Sequence, residues 1–383
     1  MPRNPSRAAV SVEEYQQRLA RIREYLRENT IDIAILTQPE HYNWISGYDP
    51  TSVFYFQPLF ITADESEPTL LCNKAELVLM EETCWLDDVR TIWTFEDYVA
   101  RAVEVVQEKG FGGDRPFRLG LNLSSYHLQA RYALGLQTAF PNAELVDVTA
   151  GIDDLRLTKS AAEVGYLRRA AHIADLGVTA GINAIREGVT DREVLAAVQH
   201  AVFLNGGEFP AYPTLVDNRG SLHGTPTGRI LRQGSTVYIE VSGVVRRYHC
   251  NISRTICVGE PTDELREMYR KVKHALDVGT EMLKPGAKVS EIVAVVDELQ
   301  GKDSDQTWGR FGFSMEIAYP PIWIGGLSLM KGDDHVLEPG MVITMEPGLA
   351  YNDGKTMMFG NNVLVTEHRP EILNNVPTDL VVK

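Results

Sequence analysis

The run TVYIEVSGVVRRYHCNISRT, residues 236–255, decides the fold. β-Branched and aromatic residues flank an arginine-bearing middle, the pattern of two strands joined by a turn. The turn is expected near Gly243 to Arg246. Side chains alternate between the faces of a strand. Glu240 therefore lies on the face opposite Val237, Ile239 and Val241. On the second strand His249, Asn251, Ser253 and Thr255 share one face, and Cys250, Ile252, Arg254 and Ile256 share the other. Pairing through the turn lets Glu240 and Asn251 converge. An acid inside a β-branched strand is costly to bury without a partner, so this hairpin reads as part of a site.

Two further segments carry candidate chemistry. Upstream, DNRGSLHGTPTGR holds His223 in a Gly- and Pro-rich loop, a setting that often presents catalytic groups from a rigid scaffold. Downstream, GMVITMEPG places Glu346 at a strand end, closed by Pro347 and Gly348.

The chain between these motifs is ordered in a simple way. Helical patterns are predicted at Ser11–Glu28, with Ser11 as N-cap, and at Tyr98–Lys109. Strands are predicted at Ile31–Thr37, Phe54–Ile61, Thr69–Cys72 and Arg118–Asn122. Alternation of this kind predicts an α/β first domain. A boundary falls within VTAGIDDLRLTKSAAEV, dividing residues 1–155 from 156–383. Helices then span about Ala161–Glu187 and Asp191–Asn205. Beyond the hairpin, helices are predicted near Asp263–Leu283 and Val289–Leu299, with strands at Val342–Glu346 and Asn362–Thr366. Helices, hairpin, helices, hairpin is the order expected of two similar halves. No low-complexity segment or short-period repeat interrupts it.

Composition narrows the functional classes. The 383 residues are 44% hydrophobic and 23% charged, an ordinary globular balance, and the net charge is -15. An acidic chain lacks the basic footprint that nucleic acids or anionic membranes require, so neither is an expected partner. Cys72, Cys84, Cys250 and Cys257 show no CxxC or disulfide-dense spacing and read as reduced thiols of a cytoplasmic enzyme. MPRNPSRAAVSVEEYQQRL has no apolar h-region, and no apolar run is long enough to span a bilayer.

Taken in order, SLHGTPTGRILRQGSTVYIEVSGVVRRYHCNISRTICVG, LEPGMVITMEPGL and NNVLVTE resemble the core and closing motifs of the creatinase, prolidase and methionine aminopeptidase superfamily. DDLRLTKSAAEVGYLRRAAHIAD resembles the start of its catalytic domain. The resemblance implies an N-terminal creatinase-like α/β domain followed by a C-terminal pita-bread catalytic domain of α+β type, and a homodimer. Metal-binding members hold Asp, Asp, His, Glu and Glu. Carried onto this chain, those positions fall on Glu240, Asn251, Phe313, Glu346 and Gly360, or the neighbouring Asn361. Phe313 and Asn251 cannot replace an imidazole and a carboxylate, so no metal and no other cofactor is expected.

IEVSGVVRRYHCNISRT, GFSMEIAYPPIW and NNVPTDLVVK resemble the metal-independent branch that holds creatinase and ectoine hydrolase, with ectoine hydrolase the nearer. Creatinase carries acids aligning with Ser253 and Gly360, which this chain lacks. The resemblance implies hydrolysis of a C–N bond in a small cationic or zwitterionic metabolite. Glu240 and Glu346 would hold the cation, and His223 would serve as general acid and base. Asn251 and Ser253 would orient water or substrate, Arg310, Glu316 and Tyr319 would shape the pocket, and His249 would be structural. Tyr48, Phe54 and Tyr55, within SGYDPTSVFYFQ, would reach the site of a neighbouring subunit. A metal-dependent Xaa-Pro peptidase with an atypical site, a lyase, and a non-catalytic binding protein remain open alternatives.

Overall fold

A computed structural model of the chain describes residues 5–217, 223–301, 309–350 and 356–383. It divides into two compact units, Met1–Arg156 and Leu157–Lys383.

In the first unit, helices α1 (Val12–Glu28), α2 (Pro39–Ser46), α3 (Leu77–Thr83), α4 (Tyr98–Glu108), α5 (Ala130–Ala139) and α6 (Thr149–Leu157) accompany six strands. These are β1 (Ile33–Leu36), β2 (Leu59–Thr62), β3 (Thr69–Asn73), β4 (Val89–Ile92), β5 (Phe117–Leu121) and β6 (Ala143–Asp147). They form one mixed sheet ordered β4-β3-β2-β1-β5-β6. Ser11 caps α1 as expected, its hydroxyl accepting the Glu14 N–H. The strand expected at Phe54–Ile61 begins only at Leu59, because Pro58 offers no N–H to a ladder and the Tyr55 N–H turns back onto the Ser52 carbonyl. α2 gave no amphipathic signal because every one of its residues is buried.

The second unit begins with α7 (Ala161–Ala184) and α8 (Asp191–Leu204), then β7 (Leu215–Asp217), β8 (Thr236–Val245) and β9 (Tyr248–Cys257). α9 (Asp263–Met282) and α10 (Val289–Gln300) open its second half. The strands of that half are β10 (Arg310–Ser314), β11 (Ser328–Met330), β12 (Val342–Met345), β13 (Gly348–Ala350), β14 (Thr356–Met358), β15 (Asn361–Leu364) and β16 (Glu371–Ile372). The chain closes with β17 (Val381–Val382), which pairs parallel to β9. One sheet runs β17-β9-β8-β7, a second β11-β10-β12-β15-β16, and β13 pairs with β14 in a two-stranded third.

The decisive hairpin is longer than its pattern suggested. β8 continues through Gly243, and the turn is Arg246–Arg247, with φ of 52° and 63°. Non-glycine residues rarely hold such angles. Here the Glu208 carboxylate accepts both turn N–H groups, at 2.8 and 3.1 Å, and the Arg247 guanidinium lies over the Tyr319 ring. Gly243 is required by close approach: a Cβ there would sit 1.9 Å from the Ala170 carbonyl oxygen of α7. Helix α7 therefore packs directly on the hairpin that carries the site. Among the described residues, no helix is long and apolar enough to cross a membrane.

Candidate active site

The antiparallel register of β8 and β9 sets Glu240 opposite Ser253, and Ser242 opposite Asn251. Glu240 and Asn251 are thus diagonal neighbours on one face, within reach of each other. The Asn251 amide donates from Nδ2 to Glu240 Oε1 at 3.2 Å and to Glu346 Oε2 at 2.9 Å. One neutral amide ties together two carboxylates from different sheets. Tyr238, two residues before Glu240 and so on the same face, donates its hydroxyl to Glu240 Oε2 at 2.7 Å. Glu346 follows β12, and its N–H is held by the Phe311 carbonyl of β10 at 2.8 Å.

Both acids are buried, and burial pushes both pKa values up. For Glu240 the hydrogen bonds from Tyr238 and Asn251 oppose that rise. Glu346 lies well above the ordinary carboxylate range, raised first by burial and then by the negative charge of Glu240, while Asn251 and the more distant Arg310 pull it down. Two buried acids sharing one amide cannot both ionise cheaply. A cation between them relieves the cost.

The carboxylates open into a cavity of about 350 Å³. Tyr212, Phe313, Ile322, Trp323, Ile324, Met330 and Met358 give it apolar walls, with Tyr238, Gly309, Arg310 and His223 completing the lining. His223 is exposed at this cavity, its ring 5.9 Å from that of Tyr212, and it interacts electrostatically with Glu240. The three residues expected to carry chemistry, His223, Glu240 and Glu346, therefore face one space.

Other expected contacts lie elsewhere. Asn251 and Ser253 are fully buried and do not line the cavity; Asn251 holds the two glutamates together through its amide. Tyr319 is buried under Arg247 outside the lining, and Glu316 accepts from Ser314 Oγ and the Gly326 N–H, bracing the loop behind the pocket. His249 is structural. Its Nε2 accepts the Ala211 N–H at 2.9 Å, so Nδ1 donates to the Arg247 carbonyl at 2.7 Å, and burial pushes its pKa down to about 3. Tyr48 is a core residue of the first unit, its hydroxyl donated to Gln57 at 2.7 Å. Tyr55 is half-buried against Phe54, whose own ring is exposed.

Three participants went unremarked in the sequence. Tyr238 was legible, because strand alternation places it with Glu240. Tyr212 and Trp323 come from loops whose meeting no local pattern reports. Behind the site, the buried Arg254 donates to the carbonyls of Gly360, Val376 and Pro377 and to Asn361 Oδ1. That network clamps β9 to β15 and to the C-terminal tail.

The structure also tests the metal-ligand positions. A dinuclear centre needs several anionic or imidazole donors to fill two coordination spheres. Among the described residues, no group of three or more His, Cys, Asp or Glu could hold a metal ion. Asn251 turns N–H donors, not a lone pair, toward both glutamates. At Gly360 a Cβ would lie 2.6 Å from Ser253 Oγ and 2.8 Å from Glu346 Cβ, which leaves no room for another acid. These residues do not fit a two-metal centre.

The model of metallopeptidase family M24 matches residues 165–367, and that of the creatinase/prolidase N-terminal domain matches residues 18–158. This chain belongs to family M24. Its two units are the creatinase N-terminal domain and the pita-bread domain of that family. An ectoine hydrolase from Halomonas elongata is 26% identical, covering 97% of this chain and 98% of the relative. An Xaa-Pro dipeptidase from Pyrococcus furiosus is 28% identical, covering 96% and 100%. The solved structure of an Xaa-Pro dipeptidase from Bacillus anthracis superposes with a TM-score of 0.83 at 21% identity, over 96% of this chain and 100% of that one. The last of these speaks to fold. The M24 hydrolase assignment rests on the family match and the curated relatives.

Proposed function

We propose that this M24 hydrolase works without metal and cleaves a C–N bond in a small cationic or zwitterionic metabolite, with a cyclic amidine such as ectoine as the leading substrate. One observation carries the reading: two buried glutamates, bound to a single neutral amide, face a small apolar-walled cavity with His223 at its edge. A delocalised cation accepted between Glu240 and Glu346 gains charge-assisted hydrogen bonds and offsets the cost of burying both acids. The similarity to ectoine hydrolase across nearly the whole chain supports that substrate class. The dipeptidase similarity is of equal extent, so the choice between them rests on the donor set.

In this reading His223 takes a proton from water as the water oxygen bonds to the amidinium carbon. Glu240 and Glu346 hold the substrate N–H groups and the positive charge. One C–N bond then breaks with its electron pair passing to nitrogen, and His223 delivers its proton there; the remaining hydroxyl proton is lost as the C=O bond forms and is taken up by the freed amine. The products are an amide and an ammonium ion.

The test is turnover of ectoine and of Xaa-Pro dipeptides by the purified protein, with a chelator or with added Mn²⁺. Ectoine cleavage that survives chelation, without dipeptide cleavage, is expected. Metal-dependent dipeptide cleavage would replace this reading with a prolidase. His223→Ala is expected to lower kcat by ~10²–10⁴-fold with an unchanged melting temperature. Near-full turnover in that variant would remove His223 from its role.

A further inference from the structure

We propose that Asn362 is a positioning residue for the glutamate pair: its side-chain amide fixes the gap between the two sheets across which Asn251 serves Glu240 and Glu346. This role rests on the reading that the pair receives the substrate's cation, and it supplies what holds the pair at its working distance.

Asn251 lies on β9 and Asn362 on β15, in different sheets. Asn362 Nδ2 donates to the Asn251 carbonyl oxygen at 2.6 Å. Two residues earlier, the Gly360 N–H reaches the Ser253 carbonyl at 3.1 Å. These two bonds tie the sheets together at the level of the glutamates. The gap they set matters because the bridging amide has little slack. Asn251 Nδ2 reaches Glu240 at 3.2 Å and Glu346 at 2.9 Å. Moving the sheets roughly 0.5 Å apart would carry one of those bonds out of range.

The direction of the Asn362 amide is set from its far side. Asn362 Nδ2 also donates to Asn374 Oδ1 at 2.8 Å, and the same oxygen accepts the Asn362 backbone N–H at 2.8 Å. Asn374 in turn donates from Nδ2 to Oδ1 of the buried Asp175 on α7, at 2.9 Å. The other Asp175 oxygen accepts the Asn375 N–H at 2.7 Å. A carboxylate and a backbone carbonyl can only accept. Between the Asp175 carboxylate and the Asn251 carbonyl the two amides therefore have one workable polarity, and reversing either sets oxygen against oxygen. A buried network with a single polarity specifies a single geometry. Helix α7, the C-terminal tail and both sheets thus converge on the residue whose amide serves both acids.

The experiment measures calorimetric affinity of the full chain for 2-methyl-1,4,5,6-tetrahydropyrimidine, a bare cyclic amidine, well below each variant's melting temperature. Wild type is compared with Asn362→Leu, with Asn374→Asp, with Asn374→Asp combined with Asp175→Asn, and with Glu240→Gln. Asn362→Leu is expected to weaken the amidine at least ~10-fold, the loss of one charge-assisted hydrogen bond at the glutamates. Asn374→Asp sets a like charge against Asp175 and is expected to act in the same direction. The double variant restores a donor and an acceptor between the two positions, and is expected to return affinity to within ~3-fold of wild type. A merely structural network would lower melting temperatures and leave the affinity of the folded protein unmoved. That result in the single variants, with Glu240→Gln still weakening the amidine, overturns the positioning role alone. A folded double variant that binds no better than Asn374→Asp overturns it as well. If wild type does not bind the amidine, or Glu240→Gln binds it equally well, the cation reading falls and this role falls with it. Melting curves identify any unfolded variant, and either single substitution suffices for the test.

Discussion

The two halves of the pita-bread unit build the same device and finish it differently. Each lays a pair of helices beside an antiparallel strand pair, α7 and α8 with β8–β9, α9 and α10 with β12–β15. One glutamate lies on the first strand of its pair and the other directly follows it, each with a non-acid opposite: Glu240 faces Ser253, and Glu346, continuing the register of Met345 with Asn361, faces Gly360. A backbone bridge from Gly360 N–H to the Ser253 carbonyl joins the two halves at these positions. The difference lies in the support. Among the described residues, Glu240 receives hydrogen bonds from both Tyr238 and Asn251, whereas Glu346 receives one, from Asn251. The residue matching Tyr238 in the second half is Thr344, and its buried hydroxyl has no hydrogen-bond partner among the described residues. The first glutamate is therefore the better supported of the two, and the second is the one that burial and its neighbour's negative charge push further above the ordinary carboxylate range.

The largest expected effect falls on binding. Glu240→Gln and Glu346→Gln should each weaken a cationic ligand by ~10²-fold, since each removes one partner of a buried charge pair. Calorimetry checks this, and intact affinity in either variant would break the symmetry of the pair. Their ligand-free stabilities should differ. A carboxyl whose folded pKa is raised contributes stability below its unfolded pKa and loses it as pH rises through the folded value. Wild type should therefore lose melting temperature as pH climbs above the ordinary carboxylate range, and Glu346→Gln should remove most of that slope. Thermal melts across pH read it directly.

Asn251→Asp replaces the shared donor with a third acid. It should destabilise the ligand-free protein by about 2–3 kcal/mol, because both glutamates lose a partner in a buried setting. Chemical denaturation measures the loss, and an unchanged midpoint would mean that the amide does not hold the pair. Tyr238→Phe should cost about 1–1.5 kcal/mol and make the two glutamates more alike. Thr344→Val, at the matching position, should lie within about 0.5 kcal/mol of wild type, because the hydroxyl it removes has no partner to lose. Equal costs for these last two would erase the contrast between the halves.

Much of this was legible in the chain. The β-branched runs around Glu240 and Asn251, the strand ending in Glu346 and the Gly-rich loop with His223 each announced a position by local pattern. The order of helices and strand pairs announced the repeated architecture. The hairpin turn was misplaced because Arg246 and Arg247 adopt a conformation that only Glu208, distant in sequence, makes tolerable. An aromatic-rich run cannot say what its hydroxyls meet, and that of Tyr48 meets Gln57. Tyr212 and Trp323 come from distant segments, and no local pattern marks them as walls of one cavity.

The sequence by itself determined which side chains can hold a charge and which face of a strand each takes, because alternation and residue chemistry are local. It determined that the matching metal positions carry too few acids. Only the tertiary structure decided that one asparagine amide would serve two glutamates from two sheets, that Glu346 would be the acid with less support among the described residues, and that an arginine would share their cavity. Those facts depend on strand register and on the packing of distant segments, and electrostatic coupling in a buried site is set by distances that no local pattern encodes.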